Sequence, residues 1–180
     1  MRKVLFALTL LIAAFAVPAS AQSDWKATVA ERLPLMGHRN WILIADSAYP
    51  LQTSPGIETI ETNTDQIEVV RYVLAQINAS IHVRPEIFMD AELPYVPEQD
   101  APGANAYRKQ IGEVLSGYTV TSRLHEKLIA EMGQASQSFH ILVLKTNLTV
   151  PYTSVFIRLN CKYWPNDAEK RMRAQMPTTK

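Results

Sequence analysis

The chain has 180 residues, a single cysteine and a formal net charge of +1. That amounts to about one domain, no internal disulfide, and no excess of positive charge for gripping a nucleic-acid backbone. Its first stretch reads as an export leader: Arg2-Lys3, an apolar run from Val4 to Val17, then Ala19-Ser20-Ala21, a small-x-small cleavage pattern. The run falls short of the roughly 20 apolar residues of a membrane span. The expected organisation is a signal peptide over 1–21, an α/β domain over 22–164 and a basic, partly helical tail over 165–180. The mature protein is then periplasmic or secreted, off the membrane once the leader is cleaved; a retained N-terminal anchor is the alternative.

In chain order, Asp24 is placed to cap a helix whose inner face carries Trp25, Val29, Leu33 and Met36, with Pro34 bending its end. Trp41 to Ala45 is apolar on both faces, the pattern of a fully buried strand, and opens on Asp46. Ile57 to Thr62 alternates as a half-buried strand, and Ile67, Val70, Val73, Leu74 and Ile77 trace one helix face. Ile81 to Met89 is extended, with Pro85 calling for an edge or a bulge. The proline-rich stretch from Asp90 to Asn105 is a loop long enough to be a lid or a subunit contact.

Tyr107, Ile111, Val114 and Leu115 form the next helix face, and Tyr118 to Thr121 a strand. Ser122 is read as the cap of a helix carrying Leu124, Leu128, Ile129 and Met132 and ending at Gly133. Two more strands follow, Ile141 to Leu144 and Ser154 to Leu159. Alternating helices and strands imply an α/β fold with a mostly parallel sheet covered by helices on both faces. Ligands of such sheets sit beyond the carboxyl ends of the strands, where Asp46 and the loop after Leu144 lie.

Gly37-His38 followed by Asp46-Ser47-Ala48-Tyr49-Pro50 resembles the Gly-His…Asp-Ala-x-x-Pro signature of the D-ribose pyranase / L-fucose mutarotase family. His125-Glu126-Lys127-Leu128 resembles the His-Glu-x-aromatic segment of its pyranase branch. Pro151-Tyr152-Thr153-Ser154-Val155-Phe156-Ile157-Arg158 resembles the Pro-Tyr-Ala-Asn-Ile-Ile-Leu segment before the last strand. The resemblance spans about residues 25 to 163. It implies a subunit of a ring-like homo-oligomer, a decamer or octamer, with sites at subunit contacts, acting on a free monosaccharide without metal or organic cofactor.

On that resemblance His38 is the main acid/base group, Asp46 orients an imidazole or holds sugar hydroxyls, His125 is a second polar contact or proton donor, and Tyr152 offers a hydroxyl and a ring face. Lys145, Asn147 and Ser154 are the substrate-binding candidates. Opening a hemiacetal needs a base at the anomeric hydroxyl and an acid at the ring oxygen, and histidine titrates in the range that serves both. The chain departs from the pattern at Ser154, where the family has Asn, and at Asn147-Leu148, where it has Gly-Glu.

Taken alone, a His after Gly in a turn is as readily a surface residue, His125 a helix-start residue and Asp46 a turn former. His38, His82, His125 and Asp46 lack the tight spacing of zinc ligands. His38 and Asp46 flank one strand eight residues apart, so they share a site only if the loops curl back or a second subunit contributes. The functional expectation is a mutarotase or pyranase. The alternatives are a non-catalytic sugar or small-ligand binding protein that keeps the fold, and a structural oligomer with a vestigial pocket.

Overall fold

The computed structural model describes residues 24–177; the expected leader and its cleavage point lie outside the described residues. Helix α1 (Trp25–Arg32) starts at Asp24, whose carboxylate accepts the N–H groups of Lys26 and Ala27, and runs into a 3₁₀ turn at Leu33–Leu35. Strand β1 (Trp41–Ala45) and strand β2 (Ile57–Glu61) precede helix α2 (Gln66–Ala79), capped in the same way by Asp65. Then come β3 (Val83–Asp90), α3 (Ala104–Val114), β4 (Val120–Arg123) and α4 (His125–Ala135). Strands β5 (Ile141–Lys145) and β6 (Val155–Cys161) and helix α5 (Asn166–Gln175) complete the order.

The six strands form one mixed sheet in the order β2-β5-β1-β6-β3-β4. The β1–β5, β2–β5 and β3–β4 pairs are parallel, while β6 lies antiparallel between β1 and β3. One face carries Ile42, Ile44, Leu142, Leu144, Ile87 and Ile157 against Val29 of α1, Val73 of α2 and Ile111 of α3. On the other, Trp41, Leu43, Phe88 and Phe156 pack against Leu128 and Met132 of α4.

Helix α4 covers only part of that second face. Beside it lies an ion-pair network: Arg158 reaches Glu86 at 2.9 Å and Glu131 at 3.1 Å, and Arg123 reaches Glu131 at 2.6 Å. Both guanidiniums lie over the Phe88 ring, at 4.5 and 5.3 Å from its centroid, so the aromatic surface is shielded by cations in place of a helix.

Two local expectations change. Ser122 lies inside β4, and α4 begins at His125 behind Leu124, which supplies no side-chain cap; α4 also continues past Gly133 to Ala135. Strand β3 is interior, but β4 joins it only from Ile87, so Pro85 pairs with Leu159 of β6 and faces no partner strand on its other side. That is where a residue without an N–H is tolerated.

Candidate functional site

The strand directions gather one set of side chains at a single edge. Ala45 ends β1, Asp90 ends β3 and Lys145 ends β5, while β6, running the other way, starts there at Val155. Asp46, Ser154 and Asp90 therefore follow one another across three adjacent strands, roughly 5 Å apart per strand. His125 arrives from the next position, two residues beyond the end of β4.

Asp90 and His125 form the centre of this edge. Asp90 is 2% exposed, and its Oδ1 lies 3.0 Å from Nδ1 of His125. Burial pushes the Asp90 carboxyl up to about 6; the His125 charge and hydrogen bond pull it down, the Glu92 charge pushes it up, and the Ser154 backbone N–H favours its charged form. Its Oδ2 is buried with no hydrogen-bond partner. When the carboxylate is charged, His125 donates from Nδ1 and leaves Nε2 as the nitrogen able to take a proton.

Two further contacts fix the imidazole. The His125 backbone N–H donates to the Glu92 carboxylate, 3.1 Å from each oxygen. An exposed helix N-terminus without a capping side chain is thereby capped from a distant loop by an anion that its dipole favours. The Tyr152 ring meets the imidazole edge-on at 5.7 Å between centroids, and Phe156 meets it at 6.4 Å. Tyr152 holds φ at +58°, a left-handed backbone that a non-glycine residue adopts at a cost.

A buried polar network anchors that backbone. Gln66 Nε2 donates to the Tyr107 hydroxyl at 2.9 Å and to the Thr153 carbonyl at 2.6 Å, and the Tyr107 hydroxyl donates to the same carbonyl at 2.7 Å. The Thr146 hydroxyl lies 3.0 Å from both Gln66 Oε1 and the Ala45 carbonyl. Burial drives the Tyr107 phenol well above its ordinary range and lifts that of Tyr49, which senses the Asp90 charge, to about 12. Both stay neutral donors and acceptors.

The remaining sequence-derived residues divide by position. Asp46 uses Oδ1 to accept the Ala48 N–H at 2.9 Å, closing a turn on the site edge. Ser154 is 1% exposed, so its hydroxyl is internal. Lys145 caps the end of β5, its carbonyl accepting from Thr62, and the exposed Asn147 donates its backbone N–H to Thr64. His38 stands apart. Its turn precedes β1, at the opposite edge of the sheet, in a groove of about 250 Å³ with Arg39, Glu86, Arg158 and Asn160. Within one chain the loops do not curl back to bring His38 to Asp46.

Asp90 and Glu92 fall in the proline-rich stretch, where no local motif marks them as candidates. The signal was present: Ile87-Phe88-Met89 is an apolar run ending in Asp90, the same carboxyl-end position that singled out Asp46. Among the described residues there is no group of three or more His, Cys, Asp and Glu side chains placed to hold a metal ion.

No family model matches the sequence, and no curated protein matches it. Solved structures do match the chain in three dimensions. Bacillus subtilis RbsD complexed with D-ribose superposes with a TM-score of 0.53 at 14% identity, over 74% of this chain and 92% of that one. FucU from Bifidobacterium longum gives 0.50 at 15% identity, over 74% of this chain and 94% of that one. At these identities the likeness is one of fold, and the fold is that of RbsD and FucU, spanning nearly the whole length of both neighbours.

Proposed function

We propose that the chain is a monosaccharide mutarotase or pyranase, interconverting the anomers or ring forms of a free sugar by acid/base ring opening. The observation that carries this reading is the Asp90–His125 pair at 3.0 Å on the carboxyl edge of the sheet, with Tyr152 against the imidazole. His125 Nε2 takes the proton of the anomeric hydroxyl, and that O–H electron pair forms the carbonyl. The bond from the anomeric carbon to the ring oxygen breaks, and an acid returns a proton to the ring oxygen. Closure on the other carbonyl face, or by another hydroxyl, reverses the same steps. Atoms and electrons balance with no oxidant and no cofactor. The neighbours in fold include a protein complexed with D-ribose, which supports a small sugar as the ligand.

The acid is assigned to His38 of a neighbouring copy. The edge bearing His38 lies at the far end of β1 from the Asp90–His125 pair, so the two meet only where one copy follows another. A head-to-tail contact of this kind repeats until a ring closes, and a ring homo-oligomer of eight or ten copies with shared sites is part of the proposal. Lys145 and Asn147 are then hydroxyl contacts on the rim, with Asp46 as an acceptor. Export completes the reading: protein recovered from the periplasm or medium should begin at Gln22.

The deciding experiment is anomer exchange by saturation-transfer NMR on the purified protein with ribose, fucose, galactose and glucose, beside His125→Ala and His38→Ala. Exchange well above the spontaneous rate for one sugar, lost in both variants, supports the enzyme. One observation favours a second reading, a sugar-binding protein without catalysis. Leu148, where the family has a carboxylate, packs against the core. Line broadening of a sugar without faster exchange would establish that alternative and overturn the enzyme.

A further inference from the structure

We infer that the loop between β3 and α3 is the fixed wall of the sugar site, and that Tyr95 is the ring on which a neutral sugar stacks opposite Tyr152. This rests on the reading of the site as a sugar site and adds where the sugar lies and what selects it. A cleft of about 290 Å³ opens beside the Asp90–His125 pair, lined by Glu92, Tyr95, Pro97, Asp100, Pro151 and Tyr152. Its size is at the small end of the roughly 300–1,000 Å³ of small-molecule sites, suited to a single sugar ring. It adjoins the pair through two of its own walls: Glu92 caps the His125 N–H, and Tyr152 packs on the imidazole.

Tyr95 is 84% exposed, yet its backbone is held rigidly. It ends a 3₁₀ turn, Leu93–Tyr95, whose carbonyls are gripped by one side chain: Arg108 Nη1 donates to Leu93 at 3.1 Å and to Val96 at 2.8 Å. The Glu98 carboxylate accepts the N–H groups of Gly103 and Asn105, each at 2.7 Å. Val96, Ala101 and Ala104 bury themselves against Val150 in a small core of their own. That core ties the segment carrying Tyr95 to the segment carrying Tyr152. On the second segment the Thr153 hydroxyl donates to the Val150 carbonyl at 2.9 Å, and Tyr152 keeps its left-handed backbone.

Two tyrosines lining one cleft, on segments braced against each other through a shared core, form a preorganised slot, which costs little ordering when a ligand enters. Its chemistry is selective. Aromatic faces suit the C–H face of a sugar ring, and the Glu92 and Asp100 carboxylates accept hydroxyl protons. The same two charges repel an anion, so the slot takes a neutral monosaccharide and rejects its phosphate ester.

The test uses the full protein and the sugar with the fastest exchange in the wild type. Tyr95→Ala should raise KM about tenfold, the loss of roughly one good contact, with the change falling on KM and not on kcat, and Tyr95→Phe should restore it. Because Tyr95 is exposed and touches no core, the variant should melt with the wild type. Saturation of the tyrosine ring protons should transfer to the sugar's C–H face in the wild type and weaken in Tyr95→Ala. The phosphate ester of the sugar should not compete, and Asp100→Asn should ease its exclusion. An unchanged KM in Tyr95→Ala, or a phosphate that binds as well as the free sugar, overturns the inference while the enzyme stands. If the wild type neither exchanges nor binds any sugar, the functional reading fails first and the inference falls with it.

Discussion

Nδ1 of His125 lies 3.0 Å from Oδ1 of Asp90, although the two residues come from different strand–helix units and are 35 positions apart in the chain. The pair exists because parallel β3 and β4 end at the same edge, Asp90 facing Arg123 in register, and because α4 starts two residues later. A carboxylate placed there is removed from water by the sheet below it, and the imidazole is its compensation.

The first consequence is a pH profile. The Asp90 carboxyl is held near 6 by burial. Above that pH it is charged and keeps the His125 proton on Nδ1; below it the carboxyl takes up a proton and Nε2 ceases to be a defined base. The kcat/KM should therefore fall as pH drops through about 6 and level off above it. Asp90→Asn should lose about 10²–10⁴-fold in kcat, the usual worth of general acid–base catalysis, and should lose this limb of the profile. Exchange rates measured on both sides of pH 6, well below KM for the profile and at saturating sugar for kcat, would check both; a wild-type profile flat across 6 would remove Asp90 from the mechanism.

The same shift makes a stability prediction of the opposite kind from a surface salt bridge. Asp90 is raised from 3.8 to about 6, so between those values the native state holds a proton that the unfolded state has lost. Its contribution to stability is then complete below 3.8 and declines as pH rises towards 6. Urea unfolding of the wild type and Asp90→Asn across this range should show the wild type losing stability relative to the variant up to about 6, and a constant difference above it. A difference that is constant throughout would contradict the burial assigned to this carboxyl.

Gln66 supplies a third prediction. It is fully buried, and each of its amide atoms has a partner in the Thr146–Gln66–Tyr107–Thr153 network. Gln66→Leu leaves buried polar groups short of partners, at about 2–3 kcal/mol, which for a chain of this size lowers Tm by roughly 5–10 °C. The network also holds the segment that carries Tyr152, so kcat should fall further than the lower Tm alone accounts for. Thermal unfolding followed by circular dichroism, with exchange measured well below Tm, separates the two effects.

The parts of this fold that follow a period were legible in the sequence. The continuous apolar run Trp41–Ala45 is β1, the face through Val70, Val73 and Ile77 is α2, and Asp24 caps α1. The start of α4 was not, because its cap is no neighbouring side chain. Ser122 has the right chemistry in the wrong place, within β4, and the anion that caps His125 comes from Glu92, 33 residues earlier. The site divides in the same way. Asp46 and Tyr152 sit in recognisable local motifs, whereas Asp90 becomes a site residue only when the register of β3 and β4 sets it beside His125. Covering of the second sheet face was equally out of reach. There the role of a helix is taken by Arg123 and Arg158 stacked on Phe88, and guanidinium–ring pairs across strands leave no period in a sequence.

The last prediction follows from the distance between His38 and His125 within one chain. His38 precedes the first residue of β1 and His125 lies beyond its other end, across the sheet. In the proposed mechanism the base therefore comes from one copy and the acid from the next. His38→Ala and His125→Ala proteins should each be inactive alone. Mixed in equal amounts, after dissociation and reassembly, they should regain about a quarter of wild-type exchange, since random neighbours in a ring of heterologous contacts pair two intact residues at about that frequency. Recovery that appears only after subunits are exchanged would establish the shared site. No recovery from a mixture shown by mass spectrometry to contain mixed oligomers would confine the chemistry to the Asp90–His125 edge of a single chain, and His38 would then have to be explained by the arginine-lined groove in which it stands.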